Sequence, residues 1–311
     1  LDRVEEAARA ISPDAFGGFE ILTAAAALWF NEQSVDAIVW EAGIGGRLDA
    51  TRVLPCVVAI VVHVALEHTQ LLGETVSEIA LDKSQIADDA VPLVLGPLPA
   101  RALDAVTASR AACGASPPIT TTPLPPDRPL RMHGSHQREN ASCAMEAAKV
   151  LLGDAYAETQ CAEALAEARW PGRFETLEDQ AVTVHVDAAH NESGVSCALE
   201  ALHAIHGPTI RPVVLVGISH DRDFPAIIPI LANAASHMVC TEAGHKAASS
   251  EELAAFTSGP THCTNSVIEG LMIAKRQAKA LQTPLLVTGG LFLAAEAMWV
   301  LKGNDPSLLR F

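Results

Sequence analysis

The sequence has few aromatic side chains and few positive charges. Aromatic residues make up 4% of its 311 positions, although apolar residues as a whole make up 49%. The apolar residues are therefore mostly Ala, Val, Leu and Ile, a mixture that suits buried parallel strands covered by helices. The formal net charge of −16 argues against DNA, RNA or an anionic membrane surface as partner. A local basic site for an acidic substrate is still compatible with that charge.

Cysteine pairs and long apolar runs are absent as well. None of the seven cysteines lies in a Cys-x-x-Cys pair, and their odd number favours free thiols in a reducing compartment. No apolar run reaches the ~20 residues of a membrane span, and no signal peptide is visible. We therefore expect a cytoplasmic, monomeric protein that binds neither nucleic acid nor membrane.

Strand and helix patterns alternate along a chain long enough for two domains of ~150 residues. The pattern restarts after "WPGRFE" (170–175), so we place the boundary between residues 1–168 and 169–311. Both halves are predicted to be parallel α/β units. Strands are predicted at 35–40, 57–62, 91–95, 182–186, 213–216, 238–241 and 285–288, and helices at 19–30, 75–86, 100–113, 136–152 and 158–168. Six prolines within 114–129 predict a loop or an extended crossing segment.

A glycine-rich turn, "EAGIGGRLDAT" (41–51), follows the first predicted strand. Its three glycines have the wrong spacing for a dinucleotide-binding fingerprint, and no Lys followed by Ser or Thr completes a Walker phosphate loop. One interpretation is a tight turn that needs glycine dihedral angles, with Glu41 solvated and Arg47 paired to Asp49. The other is that Glu41 binds a ligand.

Polar residues at strand ends favour a metal site. Ligands of open α/β sheets bind at the carboxyl ends of strands, where Glu41 ends one predicted strand and His63, Glu67 and His68 follow the next. Adjacent parallel strands would bring Glu41 and His68 within reach of one ion. A carboxylate and an imidazole, with water and phosphate oxygens, form a reasonable Mg²⁺ or Mn²⁺ shell. Helix capping and surface contacts are the alternative.

The second half repeats this arrangement in "VTVHVDAAHNES" (182–193). Asp187 ends a predicted strand, and His190 and Asn191 lie at a predicted helix start. Helix amino termini attract anions, and His190 could add a positive donor. An N-cap by Asn191 or Ser193 would explain part of the pattern without any ligand.

Two basic residues also have alternative interpretations. Arg173, in "WPGRFE", is either a salt-bridge partner in a linker or a phosphate clamp. The local sequence around Lys83, "SEIALDKSQIA", indicates a solvated lysine on a helix, whose start at Thr75 with Glu78 resembles a capping box.

Together these segments resemble the folylpolyglutamate synthase/dihydrofolate synthase family, within the Mur ligase superfamily. The matching segments occur in family order from Gly17 to Glu296. They are "GGFEILTAAAALWF", "EAGIGGRLDAT", "ALEHTQLLGETVSEIALDKSQIA", "HGSHQRENASCAMEAAKVLL", "WPGRFE", "DAAHN", "VGISHDRD" and "LLVTGGLFLAAE". The resemblance implies a P-loop-type central ATPase domain with a parallel sheet, followed by a Rossmann-like carboxyl-terminal α/β domain.

The resemblance also implies a reaction. ATP phosphorylates a carboxylate of dihydropteroate or folate, and the amino group of L-glutamate attacks the acyl phosphate to form an amide. ATP and Mg²⁺ are the implied cofactors, with K⁺ as a further candidate. Such a reaction needs neutralised phosphates and a clamp on the transferred group.

Site residues are carried over from the family by position. Glu41 and His68 look like Mg²⁺ ligands, and Lys83 looks like the lysine that is carbamylated in the family. The residues that resemble the ATP contacts are Asn140, Arg173 and Asp187. His190 is expected to contact phosphate. The pterin-side pocket is expected to be formed by Gly17, Gly18, Phe19, Glu20, Leu48, Asp49 and Ala50.

Departures from the family pattern leave several hypotheses open. Glu67 stands where the family has Asp, and no Gly-x-x-x-x-Gly-Lys-[ST] phosphate loop occurs in these residues. The first hypothesis is therefore an amino-terminally truncated piece of an ATP-dependent glutamate ligase. The second is a non-catalytic relative that binds a folate-like ligand or a partner without ATP turnover. The third is a ligase of the superfamily with another acceptor, such as a muramyl peptide.

Overall fold

The computed structural model describes residues 1–12, 15–244, 246–304 and 308–309. The chain divides into two compact units. The first comprises Leu1–Pro125 with Glu139–Cys161, and the second comprises Pro126–Arg138 with Ala162–Phe311. The domain boundary after residue 168 stays a prediction. The last division between the two compact units lies between Cys161 and Ala162.

The first unit is built on a small parallel sheet. Three short strands are paired in the order β1-β2-β3. The elements up to residue 167 are α1 (Asp2–Ile11), α2 (Gly18–Gln33), β1 (Ala59–Val61), α3 (Thr69–Leu72), α4 (Val76–Ser84), β2 (Leu93–Leu95), α5 (Ala100–Ala112), β3 (Ile119–Thr120), α6 (Ser135–Leu152) and α7 (Glu158–Glu167). Apolar residues of β1 and β2 pack against α4 and α5 to form its core.

Helix α4 begins where the sequence predicts. The Thr75 hydroxyl accepts the Glu78 N–H, and the Glu78 carboxylate accepts the Thr75 N–H, so the predicted capping box is confirmed. Reciprocal capping satisfies two of the backbone N–H groups that a helix start leaves unpaired. It fixes the start of the helix that carries Lys83.

The predicted strand at 35–40 is wrong. The described residues of this segment form no strand, and Val39 is 95% exposed. Strand β1 is the edge of its sheet among the described residues, so the apolar run has no backbone partner there. An unpaired extended segment gains neither the backbone hydrogen bonds nor the cross-strand contacts that stabilise a strand.

The second unit contains a larger sheet. Its strand order is β4-β5-β9-β6-β7-β8, and all pairs are parallel except β4 with β5. The elements are β4 (Glu175–Asp179), β5 (Val182–Val186), α8 (Glu192–His206), β6 (Val213–Val216), α9 (Phe224–Ala234), β7 (His237–Cys240), α10 (Ser250–Ala254), β8 (Thr261–Cys263), α11 (Val267–Leu281), β9 (Leu285–Thr288) and α12 (Leu291–Leu301).

Helices cover both faces of this sheet. Helices α8 and α9 pack on one face, and α11 and α12 pack on the other. Strand β9 returns between β5 and β6, so the strand order reverses there. The carboxyl ends beside such a reversal are the usual ligand site of an open α/β sheet. No described helix is long and apolar enough to span a membrane.

Candidate functional site

Asp49 holds the glycine-rich turn of the first unit together. Its carboxylate accepts the N–H groups of Gly43 at 2.8 Å, Ile44 at 3.1 Å and Thr51 at 2.9 Å. The Thr51 hydroxyl donates a fourth bond at 2.6 Å. Burial alone would raise the pKa of Asp49, but the bonds from Thr51, Ile44 and Gly43 outweigh it and lower the pKa. Asp49 was expected in the pterin-side pocket, but its carboxylate oxygens accept these hydrogen bonds from within the turn.

Arg47 is paired to Asp82, and the predicted pairing with Asp49 is wrong. The Arg47 Nε atom lies 3.5 Å from Asp82 Oδ2, and the Arg47 N–H donates to the Asp82 carbonyl at 3.1 Å. Asp49 is unavailable to Arg47 because backbone N–H groups already surround its carboxylate. The turn is thereby attached to helix α4.

Gly46 allows the turn to pack directly on the end of α4. Its N–H donates to Asp82 Oδ1 at 2.9 Å. A Cβ at this position would lie 2.5 Å from the Lys83 carbonyl oxygen and 2.7 Å from that of Asp82. Gly45 has a φ of 72°, which also favours glycine. The glycines therefore join the turn to the helix end that carries Lys83.

Lys83 is not solvated as its local sequence indicates. Its Nζ lies 2.9 Å from Glu67 Oε1, and its side chain is only 19% exposed. Glu67 follows β1 and therefore approaches Lys83 from another element. An ion pair on a partly buried helix face explains why a solvated position was the wrong interpretation.

Glu41 and His68 are both exposed in the first unit. The argument that neighbouring strand ends bring them together fails, because residues 35–40 form no strand. His68 adopts a left-handed φ of 48° just before α3. Within the described residues, no group of three or more His, Cys, Asp or Glu side chains could hold a metal ion. Metal binding by Glu41 and His68 stays a prediction.

The pterin-side pocket is expected to be formed by two segments, residues 17–20 at the start of α2 and residues 48–50 within the turn. Gly17 is the N-cap of α2, and the Phe19 ring lies 3.0 Å from the position of a Cβ on Gly43. Residues 17–20 are exposed, Leu48 is 82% exposed, and Ala50 begins a short 3₁₀ turn. Each of these two segments therefore has an apolar side chain open to solvent, Phe19 in the first and Leu48 in the second.

In the second unit, Asp187 joins the end of β5 to the "WPGRFE" loop. Asp187 Oδ2 accepts the Phe174 N–H at 2.9 Å, and Oδ1 accepts the Ala189 N–H at 2.8 Å. Burial raises the pKa of Asp187, and these two bonds together with nearby Arg173 and His136 offset only part of that rise. Arg173 itself is exposed.

The start of α8 lies beside Asp187. Asn191 Oδ1 accepts the Gly194 N–H at 2.7 Å, so the predicted N-cap by Asn191 is confirmed. His190 is partly exposed, and its Nδ1 lies 3.1 Å from the Ala188 carbonyl. Asp187, Arg173 and His190 are thus gathered at one end of β5. Asn140 lies on α6 among the residues of the first unit.

Comparisons with known proteins bear on both units. A family model described as "Mur ligase, glutamate ligase domain" matches residues 172–290. A bifunctional folylpolyglutamate synthase/dihydropteroate synthase of Halobacterium salinarum is 33% identical over 90% of this chain and 37% of its own length. The folylpolyglutamate synthase of Lacticaseibacillus casei is 28% identical over 92% of this chain and 72% of its own.

A solved structure extends the likeness to the fold. Mycobacterium tuberculosis folylpolyglutamate synthase, crystallised with ADP and AMPPCP, matches with a TM-score of 0.81 and 25% identity, covering 98% of this chain and 77% of that one. This chain belongs to the folylpolyglutamate synthase/dihydrofolate synthase family of the Mur ligase superfamily. The two-domain α/β fold expected from the resemblance is confirmed.

The family model covers the second-unit cluster, which consists of Arg173, Asp187 and His190. The chain spans only 37% and 36% of the length of two haloarchaeal relatives. The roles of individual residues therefore stay predictions.

Two contributors to these clusters were missed by the sequence reasoning. Asp82 anchors the glycine-rich turn, and Phe174 supplies a backbone donor to Asp187 from a left-handed φ of 48°. The spacing of Asp82 from the turn carries no sequence signal. An aromatic residue likewise gives no hint of a left-handed backbone, which is usually filled by Gly or Asn.

Proposed function

We propose that this chain is part or all of an ATP-dependent ligase that adds L-glutamate to dihydropteroate or a folate. The observation that carries the proposal is the likeness to folylpolyglutamate synthase across both units, which covers 98% of this chain with a TM-score of 0.81. The names of curated relatives support the same reaction class. In this reaction the substrate carboxylate takes a phosphoryl group from ATP, glutamate nitrogen attacks the acyl carbon, and phosphate leaves.

The second-unit cluster suits the nucleotide side of that reaction. Arg173 offers a charged, fork-shaped donor for phosphate, and the amino-terminal end of α8 adds the positive end of a helix dipole. Asp187 and Asn140 are assigned to ATP, and His190 to phosphate. The exposure of Arg173 leaves its guanidinium free to reach a ligand.

Glu41 and His68 would hold Mg²⁺ in the first unit. Glu41 supplies the kind of ligand that this cation favours, because Mg²⁺ in proteins commonly takes one or two carboxylates and completes its shell with phosphate oxygens and water. A bound Mg²⁺ would neutralise charge on the transferred phosphoryl group. Phe19 and Leu48 would offer apolar surface to the pterin, beside Gly17, Gly18, Glu20 and Ala50.

We assign Lys83 to carbamylation. Its ion pair with Glu67 must be broken or screened before a carbamate can form. The neutral amine bonds the carbon of CO₂ and loses a proton, giving an anionic carbamate. The Glu67 carboxylate, 2.9 Å from Lys83 Nζ, would lie beside that carbamate as a like charge. Carbamylation therefore requires Glu67 to move away or a cation to lie between the two anions.

The like charge that Glu67 would place beside a carbamate on Lys83 favours a second candidate, a protein that binds a folate-like ligand without turnover. The two candidates are separated by one assay. The chain is incubated with ATP-Mg²⁺ and dihydropteroate or tetrahydrofolate, and phosphate release is measured with and without L-glutamate.

Glutamate-dependent phosphate release together with a product one glutamate heavier is the expected result. If calorimetry shows that the folate-like substrate binds while no phosphate is released, the second candidate replaces the first. If neither ATP nor any folate-like substrate binds, both candidates fail. Sedimentation at the same concentration tests the predicted monomer.

A further inference from the structure

The loop that carries Arg173 is held by two left-handed residues. Gly172 has a φ of 70° and Phe174 a φ of 48°, a rare conformation for a bulky side chain. The Gly172 carbonyl accepts the Ala188 N–H at 2.9 Å, and the Phe174 N–H donates to Asp187 at 2.9 Å. Arg173 therefore projects from a segment bonded on both sides to the chain that follows β5.

The Phe174 ring lies against a buried histidine. Phe174 is 4% exposed, and its ring stacks on His185 with centroids 4.7 Å apart and planes at 24°. His133 approaches the same ring edge-on at 6.0 Å. His185 and Asp187 are two residues apart and so point to the same face of the strand. One strand face thus supports both the ring and the backbone N–H of Phe174.

Both ring nitrogens of His185 are engaged. Nδ1 lies 3.0 Å from the Thr176 hydroxyl, and Nε2 lies 2.7 Å from His206 Nε2. Two imidazole nitrogens form such a bond only when one carries a proton and the other offers a lone pair. Burial, reinforced by His206 and His133, lowers the pKa of His185 to about 4, so its ring is neutral at neutral pH. With both nitrogens bonded, the ring cannot rotate freely.

We propose that Phe174 and His185 are positioning residues for Arg173 and Asp187. His185, locked by Thr176 and His206, sets the Phe174 ring, and Phe174 sets the backbone from which Arg173 projects and to which Asp187 bonds. The inference rests on the proposed function only for what the pair binds, ATP phosphates. The positioning itself is a claim about this chain in the absence of ligand.

The second unit contains a matched control for His185. His237, on β7, is 9% exposed, and its Nε2 lies 2.7 Å from His262 Nδ1. Strands β9 and β6 separate β7 from β5 in the sheet. His185→Leu and His237→Leu therefore each remove the buried member of a histidine pair, but only the first residue contacts the Arg173 loop.

Nucleotide affinity is the first measurement. We expect His185→Leu and Phe174→Leu to raise the Kd for ATP-Mg²⁺ by about tenfold or more while the Kd for dihydropteroate changes by less than about twofold. His237→Leu should leave both constants unchanged. His185→Phe, which returns a ring for Phe174 to stack on, should recover part of the ATP affinity.

Amide NMR spectra of the ligand-free chain provide the second measurement. His185→Leu should shift the Phe174 and Ala189 amide protons, both bonded to Asp187, whereas His237→Leu should leave them in place. If the wild-type chain binds no nucleotide, the proposed function fails while these amides still decide the positioning. Unmoved amides in a folded His185→Leu, or equal losses of ATP affinity from His185→Leu and His237→Leu, would overturn the positioning role. His185→Gln serves the same purpose if the leucine variant does not fold.

Discussion

Each unit contains a turn whose backbone N–H groups bond to one aspartate. The two aspartates differ in the number of hydrogen bonds they accept and in the direction of their pKa shifts. Asp49 accepts four hydrogen bonds from within its own turn. Asp187 accepts two backbone hydrogen bonds, one from Phe174 in the "WPGRFE" loop and one from Ala189 just after β5. The pKa of Asp49 is lowered and that of Asp187 is raised. The number of donors decides the first case, and burial decides the second.

The two turns also differ in how they reach their neighbours. The first uses Gly46, where a side chain would collide with the backbone of α4. The second uses Phe174, whose ring fills a core position while its backbone is left-handed. Packing against backbone at Gly46 leaves no room for an added side chain, whereas the core position of Phe174 already contains one. The first turn should therefore be the less tolerant of change.

The largest expected effect is that of Gly46→Ala. The new methyl would lie 2.5 Å from the Lys83 carbonyl oxygen, a backbone atom that cannot move without displacing α4. We expect the free energy of unfolding to fall by about 3 kcal/mol or more, as overpacking against fixed atoms does. Urea denaturation checks this. Gly18→Ala is the control, since a Cβ there meets nothing within 4 Å, and a comparable loss in both variants would contradict the steric argument.

Removal of the carboxylates should have the next largest effect. Asp49→Ala leaves three N–H groups of a part-buried turn without their acceptor, and we expect a loss of about 2–3 kcal/mol. Asp187→Ala orphans two N–H groups and also removes a carboxylate that burial disfavours. It should therefore cost less stability than Asp49→Ala in the same urea titration. A larger loss of stability for Asp187→Ala than for Asp49→Ala would show that the number of unpaired N–H groups does not decide the order.

Sequence patterns were most reliable where the structure is buried on both faces. Predicted strands 182–186, 213–216 and 285–288 have the bounds that the structure shows, because a continuous β-branched and leucine run suits a strand covered by helices on both sides. The similar run at 35–40 failed. Its apolar pattern says nothing about whether a neighbouring strand is present to receive it.

The features missed depend on contacts distant in sequence or on unusual backbone. Strand β4 precedes β5 in a hairpin whose turn residues, Gln180 and Ala181, have φ values of 51° and 64°. Such a turn is usually marked by Asn-Gly or Asp-Gly, so it gave no signal here. The burial of Lys83 likewise depends on Glu67, which no local pattern on α4 reveals.

The pH dependence of the two aspartates should have opposite signs. Because the pKa of Asp49 is lowered by folding, its stabilising contribution is present above its ordinary pKa of 3.8 and is lost as pH falls through the folded value. Because the pKa of Asp187 is raised, its contribution is greatest below 3.8 and is lost as pH rises through the folded value.

Asn variants and carboxyl NMR test these signs. The stability difference between wild type and Asp187→Asn should decrease as pH rises from about 4 to 7. The difference for Asp49→Asn should stay flat over that range and decrease only in more acid solution. Direct ¹³C titration of the two carboxyl groups checks the order of their pKa values. An Asp187 carboxyl that titrates below Asp49 would reverse the comparison.

The smallest effect on stability is expected from Glu67→Gln, although its chemical consequence is specific. Because Glu67 is itself exposed, its ion pair with Lys83 contributes at most about 1 kcal/mol, so the fold should barely change. Loss of the Glu67 charge removes the carboxylate that lies 2.9 Å from Lys83 Nζ and would repel a carbamate formed there. With ¹³C-bicarbonate supplied, the carbamate carbon signal should be stronger in Glu67→Gln than in wild type and absent in Lys83→Arg. The ion pair of Lys149 with Glu146 on α6 is the control for the pair of Lys83 with Glu67. Glu146→Gln should produce no carbamate signal. Equal signals in wild type and Glu67→Gln would mean that Glu67 does not control the modification of Lys83.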